Sequence, residues 1–507
     1  MNPVAEGVVR PYDPRVAGKW IAFVASGFGL ALSVGAGLAL AASAQAATIK
    51  VDTESDTAIA GECSLRDAVT AANDNQSVRG CRKGQASKRD TILMKIEGSH
   101  SLSIPSTDES LNLNGDLDIS DGGPLTIRGA RGSSGLPHPT GLVAPADDRA
   151  FDVLPGADLS VERLEIVPGS SEVEVAAGGL FRVNDAKLKL KQTEVQDGQA
   201  AVGGGIAAFA SANVKIIRSI VTSNNALLGG ALALQGDARA SVSRSDFTFN
   251  GTVSDASAQL KGGAILSQGR SLKVLDSSFA GNLMRNEGSG SAEGGAIFSE
   301  ANLSVKRSTF SDHQVVATDD AQEEEGGALY VDTGGGERPD AEIVNSTFYN
   351  NLTGAEGRGG AILQRGNWLI SVAHTTFSDN GAGAGADLAG SSGIGGILLT
   401  ASGLGLADST DPCDGGIVSQ GYNLFRTDDE DCDVEASDEV VPDIGFANTP
   451  DENGGPTETI ALEPGSPAKD FVPNKECGDA EGVDQRGYER PAGKRCDAGA
   501  FERGAKP

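Results

Sequence analysis

A short unit recurs down the middle of this chain: two glycines, a small residue, then Ile or Leu. It stands as Gly204-Gly205-Ile206 and Gly229-Gly230-Ala231-Leu232. It returns as Gly262-Gly263-Ala264-Ile265, Gly294-Gly295-Ala296-Ile297, Gly326-Gly327-Ala328-Leu329 and Gly359-Gly360-Ala361-Ile362. The later pairs are spaced by 33, 32, 32 and 33 residues. A period of this length is the signature of a repeat architecture in which each unit buries its apolar face only against its neighbours.

From the second copy on, a second unit follows: Ser or Thr, one residue, Phe, then Asn three places later. The copies are Phe247 to Asn250, Phe279 to Asn282, Phe310 to His313, Phe348 to Asn351 and Phe377 to Asn380. Together the units describe one turn of a parallel β solenoid. Gly-Gly turns a corner and lets coils approach. The Ile or Leu and the Phe point inward and stack on their equivalents. Asn suits a left-handed turn, and its side chain can reach the next coil's Asn to form a ladder. About ten coils at the ordinary ~4.8 Å strand spacing make a rod on the order of 50 Å. Aromatics at 5% and 69 glycines suit thin coils better than thick globular cores. The stretches 285–293 and 319–325 read as side loops.

Period-two runs extend the solenoid toward the N-terminus. They are 91–96, 101–104, 111–114, 117–119 and 125–127, then 151–153, 159–161 and 164–166. Residues 129–150 read as a loop thrown off the stack, and 395–399 as the last coil. Before the first run, Cys63 to Asn75 predicts a short amphipathic helix. Ser64 and Asp67 have capping-box spacing, and Leu65, Ala68, Val69 and Ala72 share a face. Such a helix can cover the open end of a solenoid. The expected divisions are a leader over 1–46, a cap over 47–90, the β-helix over 91–400 and a C-terminal region over 401–507.

The leader has Arg10, Arg15 and Lys19, an apolar run from Trp20 to Leu40, and Ala44-Gln45-Ala46 as a cleavage site. This predicts export, with no integral membrane domain once the leader is removed. Six cysteines fit an oxidising destination. Many pairings are open to six cysteines; the nearest-neighbour set, Cys63 with Cys81, Cys413 with Cys432 and Cys477 with Cys496, is favoured because both members of each pair share a loop region. Acidic residues outnumber basic ones by 70 to 41, for a net charge of −29. That balance argues for a solvated, self-repelling surface and against a nucleic-acid partner, which needs clustered Lys and Arg.

Cys63-Ser-Leu-Arg-Asp-Ala-Val resembles the CSLREA motif of exported bacterial β-helix proteins, with Asp67 in place of Glu. The paired Gly-Gly-Ala-Ile and Phe-x-x-Asn units resemble polymorphic outer membrane protein repeats. Gly421-Tyr-Asn-Leu-Phe425, Asn453-Gly-Gly-Pro-Thr457, Leu462 to Ala468, Asp484 to Pro491 and Cys496 to Glu502 are similar, in that order, to a choice-of-anchor C-terminal region. These resemblances imply a right-handed parallel β-helix like that of pectate lyases. They also imply a secreted, cell-surface, outer-membrane-associated or periplasmic location. No apolar span is read after Glu502, so the means of anchoring is left open.

Catalytic signals are thin. Glycosidase chemistry needs two carboxylates about 5–10 Å apart. Asp246 and Asp276, at near-equivalent repeat positions, with Asp312 and Asp379, are the acids that adjacent coils offer, and they read as turn or surface groups. Lys261, Arg270, Arg307, Arg358 and Arg365 stand beside no acid cluster in register, and His374 reads as a turn or surface residue. Asp429, Asp431 and Asp433 alternate as calcium ligands do; a solvated acidic loop is the preferred reading and a structural calcium the alternative. No catalytic residue or cofactor is assigned. The leading expectation is an adhesin or binding scaffold for a host or environmental polysaccharide or cell-surface ligand. The alternatives are a polysaccharide lyase or glycosidase in a coil-face groove, and a structural envelope protein.

Overall fold

The two glycines of each repeat do different work. The first takes a left-handed backbone, with φ of +69° at Gly262 and +77° at Gly294. The second has no room for a side chain. A Cβ on Gly263, Gly295 or Gly327 would lie 2.1, 2.1 or 2.0 Å from the carbonyl oxygen of the matching glycine one coil on. The computed structural model describes residues 45–57, 59–94, 98–107, 110–130, 140–170, 175–254, 258–317, 323–334, 340–391, 395–405, 411–427 and 430–506.

The coils stack into a parallel β-helix with three long sheets of 11, 13 and 13 strands among the described residues. In one coil the chain runs through Ile265–Gln268 in sheet I, Ser271–Leu275 in sheet II and Ser278–Ala280 in sheet III. Sheets of 13 strands span ~60 Å at ordinary strand spacing. Ile206, Leu232, Ile265, Ile297, Leu329 and Ile362 pair in register and are fully buried. Phe247, Phe279, Phe310, Phe348 and Phe377 form a stack with centroids 4.9, 4.9, 4.9 and 5.3 Å apart. Each stacked pair adds ~0.5–1.5 kcal/mol beyond its burial.

Two buried polar ladders close the corners either side of the Phe strand. At one, the backbone N–H of Asn224 donates to Asn250 Oδ1 (3.0 Å), Asn250 to Asn282 (2.9 Å) and Asn351 to Asn380 (3.0 Å). His313 keeps the ladder going: its Nδ1 accepts from the Asn282 N–H at 3.1 Å. Burial holds its imidazole neutral, with the pKa lowered to about 3. The left-handed residue is not the Asn, as the sequence suggests, but the one before it: Phe249, Gly281, Asp312, Asn350 or Asp379. At the other corner, Ser219, Ser245, Ser277 and Ser308 each accept from the backbone of the preceding coil at 3.1–3.2 Å. Each hydroxyl of Ser245, Ser277 and Ser308 also donates to the carbonyl two residues back. Every buried corner amide linked in this way avoids the ~1–3 kcal/mol cost of an unsatisfied group.

The helix Leu65–Asn73 covers the first coils, with Leu65, Ala68, Val69 and Ala72 buried. Ser64 accepts from the Asp67 N–H at 3.1 Å. The Asp67 carboxylate does not complete the expected box; it pairs with Arg79. Arg66 does more of the holding: it is buried, pairs with Asp56 at 2.8 Å and donates to the carbonyls of Asn114, Gly115 and Asp116. The disulfides are Cys63–Cys81, Cys413–Cys432 and Cys477–Cys496. The first two lie within the main apolar core, near its two ends.

Three sequence expectations need correction. Thr140–Val143 is a sheet III strand, anchored by buried Leu142, where Gly141 hides the alternation. Residues 111–114 form bends, with Leu111 and Leu113 exposed. The sheets also run beyond residue 400, through Gly403–Gly405, Cys413–Asp414, Ile417–Ser419 and Leu424–Phe425. Strands of two or three residues carry too little apolar periodicity to be read as coils. The leader lies outside the described residues except for its last two. No helix among the described residues is long and apolar enough to cross a membrane.

Phe310→Ala opens the middle of the ring stack and is expected to cost ~3–5 kcal/mol in denaturant unfolding. Phe249→Ala, which removes an exposed ring, is expected to stay within about 0.5 kcal/mol.

Candidate functional site

Two further short sheets form along the chain between sheets III and I. Strands Gly251–Ser254, Leu283–Asn286 and Gln314–Ala317 form one small parallel sheet, and Leu260–Lys261, Ala292–Glu293 and Glu324–Glu325 another. The stretches read as side loops thus contain ordered strands. Leu266, Phe298, Tyr330 and Leu363, on the outer side of sheet I, are buried as a second apolar cluster.

A charged column runs along the second of these small sheets. Lys261, Glu293, Glu325 and Arg358, each directly before a Gly-Gly pair, are in register on successive coils. The sequence reading placed no acid cluster in register with these bases; the residue before each Gly-Gly was the available signal. Lys261 Nζ is 3.3 Å from Glu293 and 4.2 Å from the Phe298 ring centroid. Arg365 lies 3.1 Å from Glu325 and 3.4 Å from Tyr330 Oη. Burial raises the Glu325 carboxyl against the opposing pull of Arg365. Glu293 and Glu325 are thus one strand spacing apart, each nearly buried and each held by a cation.

Other sequence candidates do not converge. Asp246 faces Ser278 in sheet III, whereas Asp276 occupies the left-handed corner equivalent to Arg244, so the two acids are not equivalent. Asp276 pairs with Arg307 at 2.8 Å and Arg244 at 3.6 Å. Asp312 and Asp379 are corner residues with φ of +59° and +57°. Arg270 lines a groove on sheet II. Asp431 and Asp433 are exposed on either side of buried Cys432, and Asp429 lies outside the described residues. Among the described residues no three acid, His or Cys groups converge as metal ligands.

Sheet III is covered in its later coils by the C-terminal region, which folds back along the solenoid. Gln485 donates to Thr309 (2.8 Å) and accepts from Thr347 (2.6 Å), while Thr376 accepts from the Ala500 N–H (2.9 Å). His374 lies in a left-handed turn, as expected, but buried beneath this strap rather than at the surface. Arg490 donates to its Nδ1 at 2.8 Å. Burial, with Arg490 beside it, lowers the His374 pKa to about 3. Nδ1 therefore accepts while Nε2 faces the Glu476 carbonyl.

Among the described residues sheet II carries no such cover over its middle coils, where Lys215 and Lys273 are exposed. Its outward central column runs Thr126, Ser160, Lys189, Lys215, Ser241, Lys273 and Ser304 in strict register. Four successive strands, Lys187–Lys191, Asn213–Ile217, Arg239–Ser243 and Ser271–Leu275, carry six cations and no acid. An open groove of about 600 Å³, lined by Arg270, Lys273, Ser304, Glu342 and Ser371 among others, continues this face toward the C-terminus.

Asp116 and Asp387 are the carboxyls most displaced by burial, each raised from 3.8 to about 8. Asp148 and Asp118 add repulsion at Asp116. Burial favours the protonated form of both in the fold, against the pull of Arg149 on Asp116 and of Asn380 on Asp387, whereas the unfolded chain ionises them near pH 4. Their stabilisation is complete below pH ~4 and lost as pH rises toward ~8. Melting temperature is therefore expected to fall across that window. D116N/D387N should flatten the fall, as a thermal-shift series against pH would record. Searched against family models, curated proteins and solved structures, the chain matches none.

Proposed function

We propose that this chain is an exported, non-enzymatic β-helix that presents sheet II as a binding face for a glycan or other cell-surface ligand. The carrying observation is the contrast between faces. The outward residues of sheet I are buried and later sheet III is strapped, while the middle of sheet II presents an in-register row of Lys189, Lys215, Ser241, Lys273 and Ser304. Three disulfides and the resemblance of the Cys63 motif, the repeats and the C-terminal region to exported bacterial β-helix proteins support a location outside the cytoplasm, at the cell surface or released. Fold alone does not assign activity, and the reading rests on this face.

A second reading, a carbohydrate-active enzyme, is favoured by Glu293 and Glu325. Carboxylates on adjacent coils approach the ~5–5.5 Å separation of retaining glycosidases. Against it stand their cation partners and their burial.

Purified protein incubated with neutral and acidic polysaccharides, with and without calcium, separates the two. Co-elution of intact polymer with protein on size exclusion is the expected result. Chain shortening, or new ultraviolet absorbance from unsaturated ends, that disappears in Glu325→Gln would replace the scaffold reading with the enzymatic one.

A further inference from the structure

We infer that the middle of sheet II binds a linear acidic polysaccharide laid along the solenoid axis; this deepens the scaffold reading above and rests on it. The argument begins with charge. The chain is strongly acidic, with a net charge of −29. Yet Lys187, Lys189, Lys191, Lys215, Arg239 and Lys273 share one face of four consecutive strands that carry no acid. None of the six forms an ion pair among the described residues, whereas the charges bordering them are matched. Arg128 pairs with Glu162 at 2.7 Å on one side, and Lys306 with Glu342 at 3.0 Å on the other. Asp158 and Glu162 lie beside Lys187 and Lys191 on the next strand, and Glu342 lies near Lys273, but these acids make their ion pairs with Arg89, Arg128 and Lys306, which leaves the row like-charged. The apolar residues of these strands, such as Leu188, Leu190, Val214 and Ile216, face the core.

Geometry narrows the occupant. Three of the four central positions on these strands are lysines, and the fourth is Ser241. Successive positions are ~4.8 Å apart, so Lys189 to Lys273 spans ~14 Å. The row therefore offers about one cation per strand step, with partly exposed hydroxyls at Ser241 and Ser304. A polymer with one carboxylate or sulfate per sugar, and hydroxyls between them, matches both the charge density and the polar groups. Duplex nucleic acid carries a charge every ~1.7 Å, and single strands are held by base stacking on aromatics. These four strands contain no aromatic residue. The open groove beyond the last lysine is lined by Asp340 and Glu342 as well as Arg270 and Lys273, so the cationic stretch ends there.

The test uses polygalacturonate and a sulfated glycan as acidic probes, dextran as the neutral probe and a single-stranded oligonucleotide as the competing polyanion. Three proteins are compared: wild type, Lys189→Ser/Lys215→Ser/Lys273→Ser, and Lys83→Ser/Lys88→Ser/Lys494→Ser, which makes the same charge change on exposed lysines outside the strands of sheet II. Serine already occupies the same column, so the first variant is expected to keep the wild-type melting temperature. Acidic-glycan affinity should fall about tenfold or more in the first variant, hold in the second, and weaken steeply with salt in wild type. Equal loss in both triple variants, or no loss in either, overturns the inference. Tighter binding of the oligonucleotide than of either glycan also overturns it, in favour of a nucleic-acid face. Binding to dextran that survives the Lys189/Lys215/Lys273 change would overturn the acidic-polymer assignment while leaving the scaffold reading standing. Absence of binding to every probe would remove both.

Discussion

The spacing between coils governs the rest of this molecule. A peptide backbone can approach its neighbour to hydrogen-bonding distance at a sharp corner only if nothing projects between them. The second glycine of each pair meets that condition: its absent Cβ is what lets Gly263 lie against the Gly295 carbonyl. Once that distance is set, side chains one coil apart come to ~4.8 Å. Ring stacking, aliphatic stacking and the corner ladders then follow without separate instructions. Polar groups that would be liabilities in a globular core become fasteners, because each finds its partner at the same offset in the next coil.

This regularity explains which parts were legible in the sequence. The repeat, the parallel solenoid, the helical cap and an Asn ladder can be read because a periodic constraint writes itself periodically. His313 fits the ladder through chemistry rather than identity: its Nδ1 presents a lone pair where Asn presents Oδ1. The Ser ladder was present in the Ser/Thr-x-Phe pattern, but nothing in that pattern states that the hydroxyl looks inward. Residues that depend on distant partners were harder to read. Arg66 and His374 owe their burial to segments about 50 and 116 positions away. No local window contains such information.

The candidate binding face was legible in one dimension only. Lys187-Leu-Lys-Leu-Lys191 shows an alternating strand, but its neighbours each contribute a single central residue: Lys215, Ser241 or Lys273. Only the register joins them into a row. The same holds for the column before Gly-Gly, where Lys261, Glu293, Glu325 and Arg358 are scattered in sequence and adjacent in space. A solenoid converts one residue per repeat into a continuous surface, so its chemistry is best read down the columns.

The returning C-terminal region alters how the rod can come apart. A simple stack is held only by nearest neighbours, and frays from its ends inward. Here Gln485 is bonded to Thr309, 176 residues earlier in the chain, and Ala500 to Thr376, 124 residues earlier. Coils that would otherwise open one after another are buckled together from outside. The N-terminal coils can assemble progressively as the chain emerges, whereas the later ones are secured only when the last residues arrive. The molecule is thus a zipper over its first half and a clasp over its second.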